Sequence, residues 1–527
     1  MNSFIDIKRR KFLQYAGIGT ATMALAPNWL WAEASPKNNA YLFSNPDVEI
    51  GMTAQVTEIP ILSGPPTEVW KFSAKLLNGP EGTVEEIPGS YLGPILRLRK
   101  GQKVRIHFHN NVPGPCVVHQ HGLHVPEKSD GHPHYAIDSG QTYSYDFQVL
   151  NRAGTYWYHS HTHRVTGHRV YFGLAGLLLV SDEEERALNL PGGDYEIPLV
   201  IQDRQFGNRN ELHYVHGMHD RMTGFLGDQI LVNGFPDFEL PVATRAYRLR
   251  ILNGSNSRIY KLAWSDGTPM TVIASDGGLL EKPERYPYVT LAPAERVELW
   301  VDFSGRKVGS EIKLQSLPFS GATPRMGGGM GRGHGRGRHG HGSSALPNGA
   351  GFSIMKVRIV RKEEVNQKLP ERLSTIRSHQ IQEAENPDHP RTIRLSMRPH
   401  SPRLNGRSFR MTAVADEEVF KLNSLQLMEF VNRDRRARGM MMAHPMHIHG
   451  QPFQIVKREV LPGFQQDYAT LSEGFISSGW RDTVLVMPGE KVTLLKPFED
   501  YEGLFLYHCH NTEHEDLDMM RNFQVRA

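Results

Sequence analysis

Within twelve positions near the end of this 527-residue chain stand His508, Cys509, His510, His514 and Met519, all soft or borderline metal ligands. The aromatic and branched run Gly503-Leu-Phe-Leu-Tyr before them predicts a strand from Leu504 to His510. Successive strand side chains point to opposite faces, so Cys509 points one way and His508 and His510 the other. One backbone then serves two metal centres. A cysteine, a following histidine and a later methionine, completed by a histidine from elsewhere, form the His₂Cys set with a weak axial methionine of a blue-copper electron-transfer site. The plain alternative is a buried strand cysteine between surface histidines. It leaves His514 and Met519 without a reason, and ligands upstream decide between the two.

Three clusters upstream carry such ligands: His119-Gln120-His121, His159-Ser160-His161 and His444-Pro445-Met446-His447-Ile448-His449. In each His-x-His, strand alternation puts both rings on one face, within reach of adjacent metals. Spacing alone is weak evidence, because His107-Phe108-His109 shares it on what reads as an ordinary strand, and His161-Thr162-His163 overlaps the second pair. The order of all four clusters is what is specific.

That order, His-x-His, His-x-His, His-x-x-His-x-His and His-Cys-His-x₃-His-x₄-Met, resembles the multicopper oxidases, the group of laccases, bilirubin oxidases and bacterial copper-efflux oxidases. The similarity covers essentially the whole chain after its first segment. It implies an all-β protein of three cupredoxin-like Greek-key β-sandwich domains, with a trinuclear copper cluster between the first and third. Carried over by motif, His444, Cys509, His514 and axial Met519 match the type-1 copper ligands; His119 and His447 match type 2; and His121, His159, His161, His449, His508 and His510 match the type-3 pair. Four copper ions are therefore expected. The resemblance also implies the reaction, four one-electron oxidations coupled to reduction of O₂ to two waters, with Asp130 and Glu515 at the positions of family acids that act as general acid or proton relay.

Some features depart from the family pattern or add to it. Gln120 stands where the first motif often has tryptophan. His213, His216, His219 and Met222 recur every third residue, which on a helical turn would place them on one face; a solvated polar segment is the alternative. Met440-Met441-Met442 precedes ligand His444, and thioethers prefer Cu(I), so this run reads either as a cuprous docking site or as apolar filling. The expected donor is a cuprous ion, with phenols or aromatic amines accepted less selectively and a role in copper tolerance. An organic physiological donor, as in a laccase or bilirubin oxidase, is the alternative, and a copper-sequestering protein without turnover is the rival from another class.

Short strands punctuated by Gly and Pro position these motifs, as in sandwiches or barrels. Examples are 68–73, 95–99, 104–109 and 173–180, followed after the break at Leu190-Pro-Gly-Gly193 by 197–202, 247–252, 271–274 and 297–303. The expected domains are 48–185, 194–362 and 390–527. A Gly-, Met-, His- and Arg-rich insert at 321–345 interrupts the second, and its glycine density predicts a mobile loop, either copper-gathering or a plain flexible insert.

The beginning, Lys8-Arg9-Arg10-Lys11-Phe12-Leu13, a mild apolar stretch and Ala32-Glu33-Ala34, reads as a twin-arginine export signal over 1–34. The expectation is a periplasmic protein with no membrane anchor after cleavage, since the apolar stretch is too short and too diluted to span. Cleavage takes four cations and two acids, lowering the formal charge from +4 to +2, too weak a field to recruit nucleic acid. Two cysteines exclude a disulfide scaffold; with Cys509 on a metal, Cys116 reads as a small buried residue. A monomer is expected.

Overall fold

The computed structural model describes residues 42–323, 346–365, 367–398, 401–433 and 441–527. The export signal, all but the first three residues of the glycine-rich insert, and Met440 lie outside the described residues. Residues from Asn39 to Ala527 form one compact unit.

Six sheets pair into three sandwiches that follow one another along the chain. Their strands run from Val48 to Ser181, from Glu196 to Arg361 and from Arg391 to Arg526. Each sheet of each sandwich contains one parallel pair in an otherwise antiparallel arrangement: Val48 beside Val104 and Leu96 beside Leu178 in the first, Glu196 beside Arg248 and Glu239 beside Lys356 in the second, Arg391 beside Met428 and Val419 beside Gln524 in the third. The three sandwiches thus share one pairing feature, though their sheets differ in strand number. Each sandwich has its own core drawn from both sheets, as with Ile50, Phe72 and Phe147 against Leu98, Tyr158 and Val180 in the first.

Alternation of buried and exposed positions fails on several strands, and on the four that carry the ligand motifs the failure is informative. Val118–His121, Gly154–Ser160, His444–Ile448 and Gly503–Cys509 are buried at every position. Val118, Tyr156, Tyr158, Met446, Ile448, Tyr507 and Cys509 fill the cores of the first and third sandwiches. The alternate residues, the histidines, are covered from the other side by the neighbouring sandwich. A sheet buried on both faces loses its polar stripe to the interface, so polar residues there must pair with one another or hold ions.

Candidate metal centres

Cross-strand register brings the four clusters together. In the first sandwich His119 lies opposite His159, and in the third Met446 lies opposite Cys509 and His447 opposite His508. Register fixes which side chains are neighbours on each face, so Cys509 and the flanking histidines serve opposite sides of their sheet.

On the core side, Cys509 Sγ lies 3.4 Å from His444 Nδ1 and 3.6 Å from His514 Nδ1. His514 is held on the short helix Thr512–Asp516, whose N-cap Asn511 accepts from the His514 backbone N–H. Its Nε2–H donates to the Met222 carbonyl at 3.1 Å, leaving Nδ1 bare toward the sulfur. Met519 is fully buried in the same core as Cys509; its backbone N–H donates to the His514 carbonyl and its own carbonyl accepts from Cys509. Burial pushes the Cys509 thiol far above its usual range and lowers His514 to about 4. A thiolate here requires a cation beside it.

On the other side eight histidines converge, each at most 1% exposed. Nε2 of His508 lies 3.2 Å from Nε2 of both His161 and His449. His449 turns its Nδ1–H to the Asp130 carboxyl at 2.6 Å, and His119 turns its own to the Asp130 carbonyl. His447 donates Nδ1–H to the Asp482 carbonyl at 2.8 Å, and His159 to the Ser160 carbonyl at 3.0 Å. Nε2 of His119 and of His447, and both ring nitrogens of His510, are buried without a hydrogen-bond partner. The His510 ring lies 5.1 Å from His121 and 5.3 Å from His159, centre to centre. His121 is reversed: its Nε2 faces Asp482 Oδ1 at 3.2 Å and its Nδ1 faces His159 Nε2 at 3.4 Å.

Both sets fit metal ions. Imidazole and thiolate bonds of about 2.0 and 2.3 Å on a tetrahedral ion put neighbouring donor atoms roughly 3.3 to 3.5 Å apart, which is the spacing found. Burial holds His119, His121, His159, His161, His449, His508 and His510 well below their usual pKa, so they are neutral, as ligation requires. Orphaned, buried, neutral imidazole nitrogens facing one another are costly unless an ion takes them.

The two acids read from the sequence lie in this cluster. Asp130 is fully buried at the end of the turn Glu127–Asp130, where Gly131 passes so close to Val118 and His119 that no Cβ fits. Glu515, on the helix with His514, brings its oxygens to 3.6 Å from His161 Nε2 and 3.3 Å from His508 Nδ1. Burial raises both carboxyls well above the usual range, with Glu127 adding to the effect on Asp130 and Asp516 to that on Glu515.

Asp482 and Arg296 were not legible as site residues, since neither stands in a histidine spacing. Trp157, stacked on His159 at 4.2 Å, was hidden likewise inside an aromatic strand. The regular His213-to-Met222 series is not one helical face: His213 closes the strand Leu212–His213, His216 follows it, and the helix begins only at Met218. Gly217, in extended backbone just before that helix, sits between the two halves. Of the series only Met222 reaches a metal centre; its side chain packs with Met397, Met442 and Leu517. His107 and His109 lie on the ordinary strand Lys103–Asn111, and Cys116 is buried beside Ser160.

Residues 68–185 and 380–527 each match a family model described as multicopper oxidase. The chain is 30% identical to a multicopper oxidase of Staphylococcus aureus over 83% of each protein, and 27% identical to a laccase of Bacillus subtilis over 88% of this chain and 91% of that one. Its fold superposes on the crystal structure of the McoA multicopper oxidase of Aquifex aeolicus with a TM-score of 0.75 and 31% identity, over 93% of this chain and 98% of the other. The three sandwiches are accordingly cupredoxin-like, and copper is the metal the family implies. With that relatedness over most of its length, the chain belongs to the multicopper oxidases, oxidoreductases that use dioxygen as electron acceptor.

Proposed function

We propose that this protein holds four copper ions and couples four one-electron oxidations of cuprous ion, and less selectively of phenols or aromatic amines, to reduction of O₂ to two waters. Copper bound by these residues supplies one-electron chemistry: removal of an electron from a donor on the Cys509 side and its transfer to dioxygen on the histidine side. His444, Cys509, His514 and Met519 hold the first ion; His119 and His447, with the remaining six histidines, hold the other three.

The rest follows from the side chains. Cys509 is bonded through its own backbone to His508 and His510, so the two centres share a short covalent connection. Four protons must accompany four electrons. Asp130 and Glu515, kept protonated by burial, each hold one proton at a time, at carboxyl oxygens beside His449 and beside His161 and His508. Burial of all eight cluster histidines excludes bulk water, which strengthens each of these electrostatic contacts.

One observation favours cuprous ion as donor. The edge of His514, where an electron enters, is fully buried; its Nε2–H is capped by the Met222 carbonyl, and the Met222 side chain packs with those of Met397, Met442 and Leu517. An aromatic ring finds no open edge there, whereas a bare Cu(I) ion is a good partner for thioethers. Methionine to leucine is nearly volume-conserving and costs under about 1.5 kcal/mol. The variant Met222→Leu/Met397→Leu/Met442→Leu should therefore raise KM for Cu(I) by roughly tenfold, equivalent to about 1.4 kcal/mol, while KM for a phenol stays put. Equal effects on both donors in an oxygen-uptake assay would favour an organic physiological donor, the reading suggested by the laccase relatives.

Export by the twin-arginine route to the periplasm, a monomeric state and a role in copper tolerance complete the proposal. Among the described residues no helix is long and apolar enough to cross a membrane. Cell fractionation, and copper sensitivity of a strain lacking the protein, test these points.

A further inference from the structure

Among its described residues the middle sandwich supplies no ligand to either candidate centre, yet one of its side chains reaches the histidine cluster. Arg296, at the start of the strand Arg296–Asp302, is fully buried and uses all five N–H groups. Nη1 and Nη2 donate to the two oxygens of Asp482 at 2.8 and 2.5 Å. Nε donates to the Thr155 carbonyl of the first sandwich, and the remaining two groups donate to the carbonyls of Ala294 and Asp276. One guanidinium thus ties together all three sandwiches. The pair lies against the bare Cα of Gly122, directly after His121, where an added Cβ would come within 2.5 Å of Asp482 and 2.8 Å of Arg296 and where φ is +83°.

The Arg296 fork donates to both oxygens of Asp482, so the carboxylate meets its neighbours as a charge-paired acceptor. An ionised carboxylate only accepts hydrogen bonds. The His121 nitrogen 3.2 Å from Oδ1 is therefore the protonated one, Nε2–H, and Nδ1 is left bare toward His159. His119, His447 and His449 do the opposite: each donates Nδ1–H and presents Nε2. The acceptor for His447 is the backbone carbonyl of the same Asp482. One residue therefore orients a ligand from the first sandwich through its side chain and a ligand from the third through its backbone. Thr483 Oγ1 also donates to Asp482 Oδ1, at 2.9 Å.

We propose that Asp482 and Arg296 are the positioning pair of the cluster: they set which nitrogen of His121 faces the metal and keep His121 in register with His447, so the middle sandwich controls assembly of the histidine site. The inference rests on copper occupying that site. Partners that orient metal-bound histidines typically account for 10- to 100-fold in metal affinity, and the pair predicts a loss of roughly that size.

The test uses full-length protein loaded with copper, with two absorptions read in the same sample: the visible thiolate-to-copper band of the Cys509 centre and the near-ultraviolet band of the coupled copper pair, alongside copper per chain. Asp482→Asn faces the Arg296 guanidinium with an amide N–H₂ and removes the charge that selects the His121 tautomer. It should keep the visible band, lose most of the near-ultraviolet band and bind fewer than the wild-type number of coppers. Arg296→Lys keeps the buried charge but offers a compact ammonium in place of the fork; it should show a smaller loss of the same kind, and it carries the test if Asp482→Asn does not fold. Both bands falling together, or both variants holding wild-type copper with an unchanged band ratio, overturns the proposal. Wild-type protein reports separately on the copper reading itself: a visible band with no near-ultraviolet partner would count against the cluster rather than against the pair.

Discussion

The two metal centres, though they share the strand Gly503–Cys509, are built on opposite plans. The Cys509 centre draws all its candidate ligands from one sandwich, between His444 and Met519, and sits inside that sandwich's apolar core with Met446 and Phe523 around it. The histidine cluster draws on residues from His119 to His510, belongs to no single core, and is held by carbonyls, carboxyls and a guanidinium at the junction of three sandwiches. A site in one core inherits its geometry from local packing. A site at a junction has to be given its geometry by directional polar contacts, because apolar packing is non-directional.

The strongest way to break the comparison is at the shared strand. Cys509→Ser should abolish the visible colour and lower oxygen uptake below detection, while the near-ultraviolet band and copper in the histidine cluster persist. Loss of both copper signatures would show that the two centres are not independently assembled.

The proton-holding acids separate the plans next. Asp130→Asn and Glu515→Gln should each reduce turnover by roughly 10²- to 10³-fold, the usual scale for a general acid, while leaving anaerobic reduction of the Cys509 centre at its wild-type rate. Slower reduction of the blue centre in stopped flow would place these acids on the donor side instead.

Acid sensitivity sharpens the contrast in the copper-free protein. Histidines whose folded pKa lies below the unfolded value of 6.5 refuse protons that the unfolded chain accepts, so stability is lost as pH falls from about 6.5 toward the folded value. For His514, lowered to about 4 by burial, the loss across that window is roughly 3 kcal/mol. The cluster holds seven further histidines shifted well below 6.5, against His444 alone on the other side. Apoprotein melting temperature should therefore drop steeply below pH 6.5 and copper loading should suppress the drop; a flat profile between pH 7 and 5 would contradict this.

Two smaller effects test the core-packed plan. Gln120 is fully buried between ligands His119 and His121 but on the opposite face of their strand, toward the first core, and neither end of its amide has a partner among the described residues. Gln120→Met should stabilise the protein by about 1 to 3 kcal/mol in denaturant unfolding, the cost of an unsatisfied buried polar group; destabilisation would mean the amide has a partner such as water. Met519→Leu should leave the protein blue with a raised reduction potential, because a weak donor to the oxidised metal is removed. A colourless product would place the axial ligand elsewhere.

Much of this protein is decided by its sequence alone. Short alternating or apolar runs between Gly and Pro breaks at 68–73, 95–99, 197–202 and 247–252 are strands in the structure because local pattern and turn chemistry act over a few residues. The order of histidine, cysteine and methionine spacings carries the family resemblance that nominates the ligand set, and strand alternation assigns each of those side chains a face before any partner is known. The three-residue spacing from His213 to Met222 shows the limit, since a helical period means nothing where the backbone is strand, then loop, then helix. Only the tertiary structure decided that the ligand faces are covered by neighbouring sandwiches, that Asp482 and Arg296 meet His121 at Nε2 where the other rings present it, and that the Met222 carbonyl caps His514. These contacts join residues more than a hundred positions apart, and long-range polar geometry leaves no local period to read.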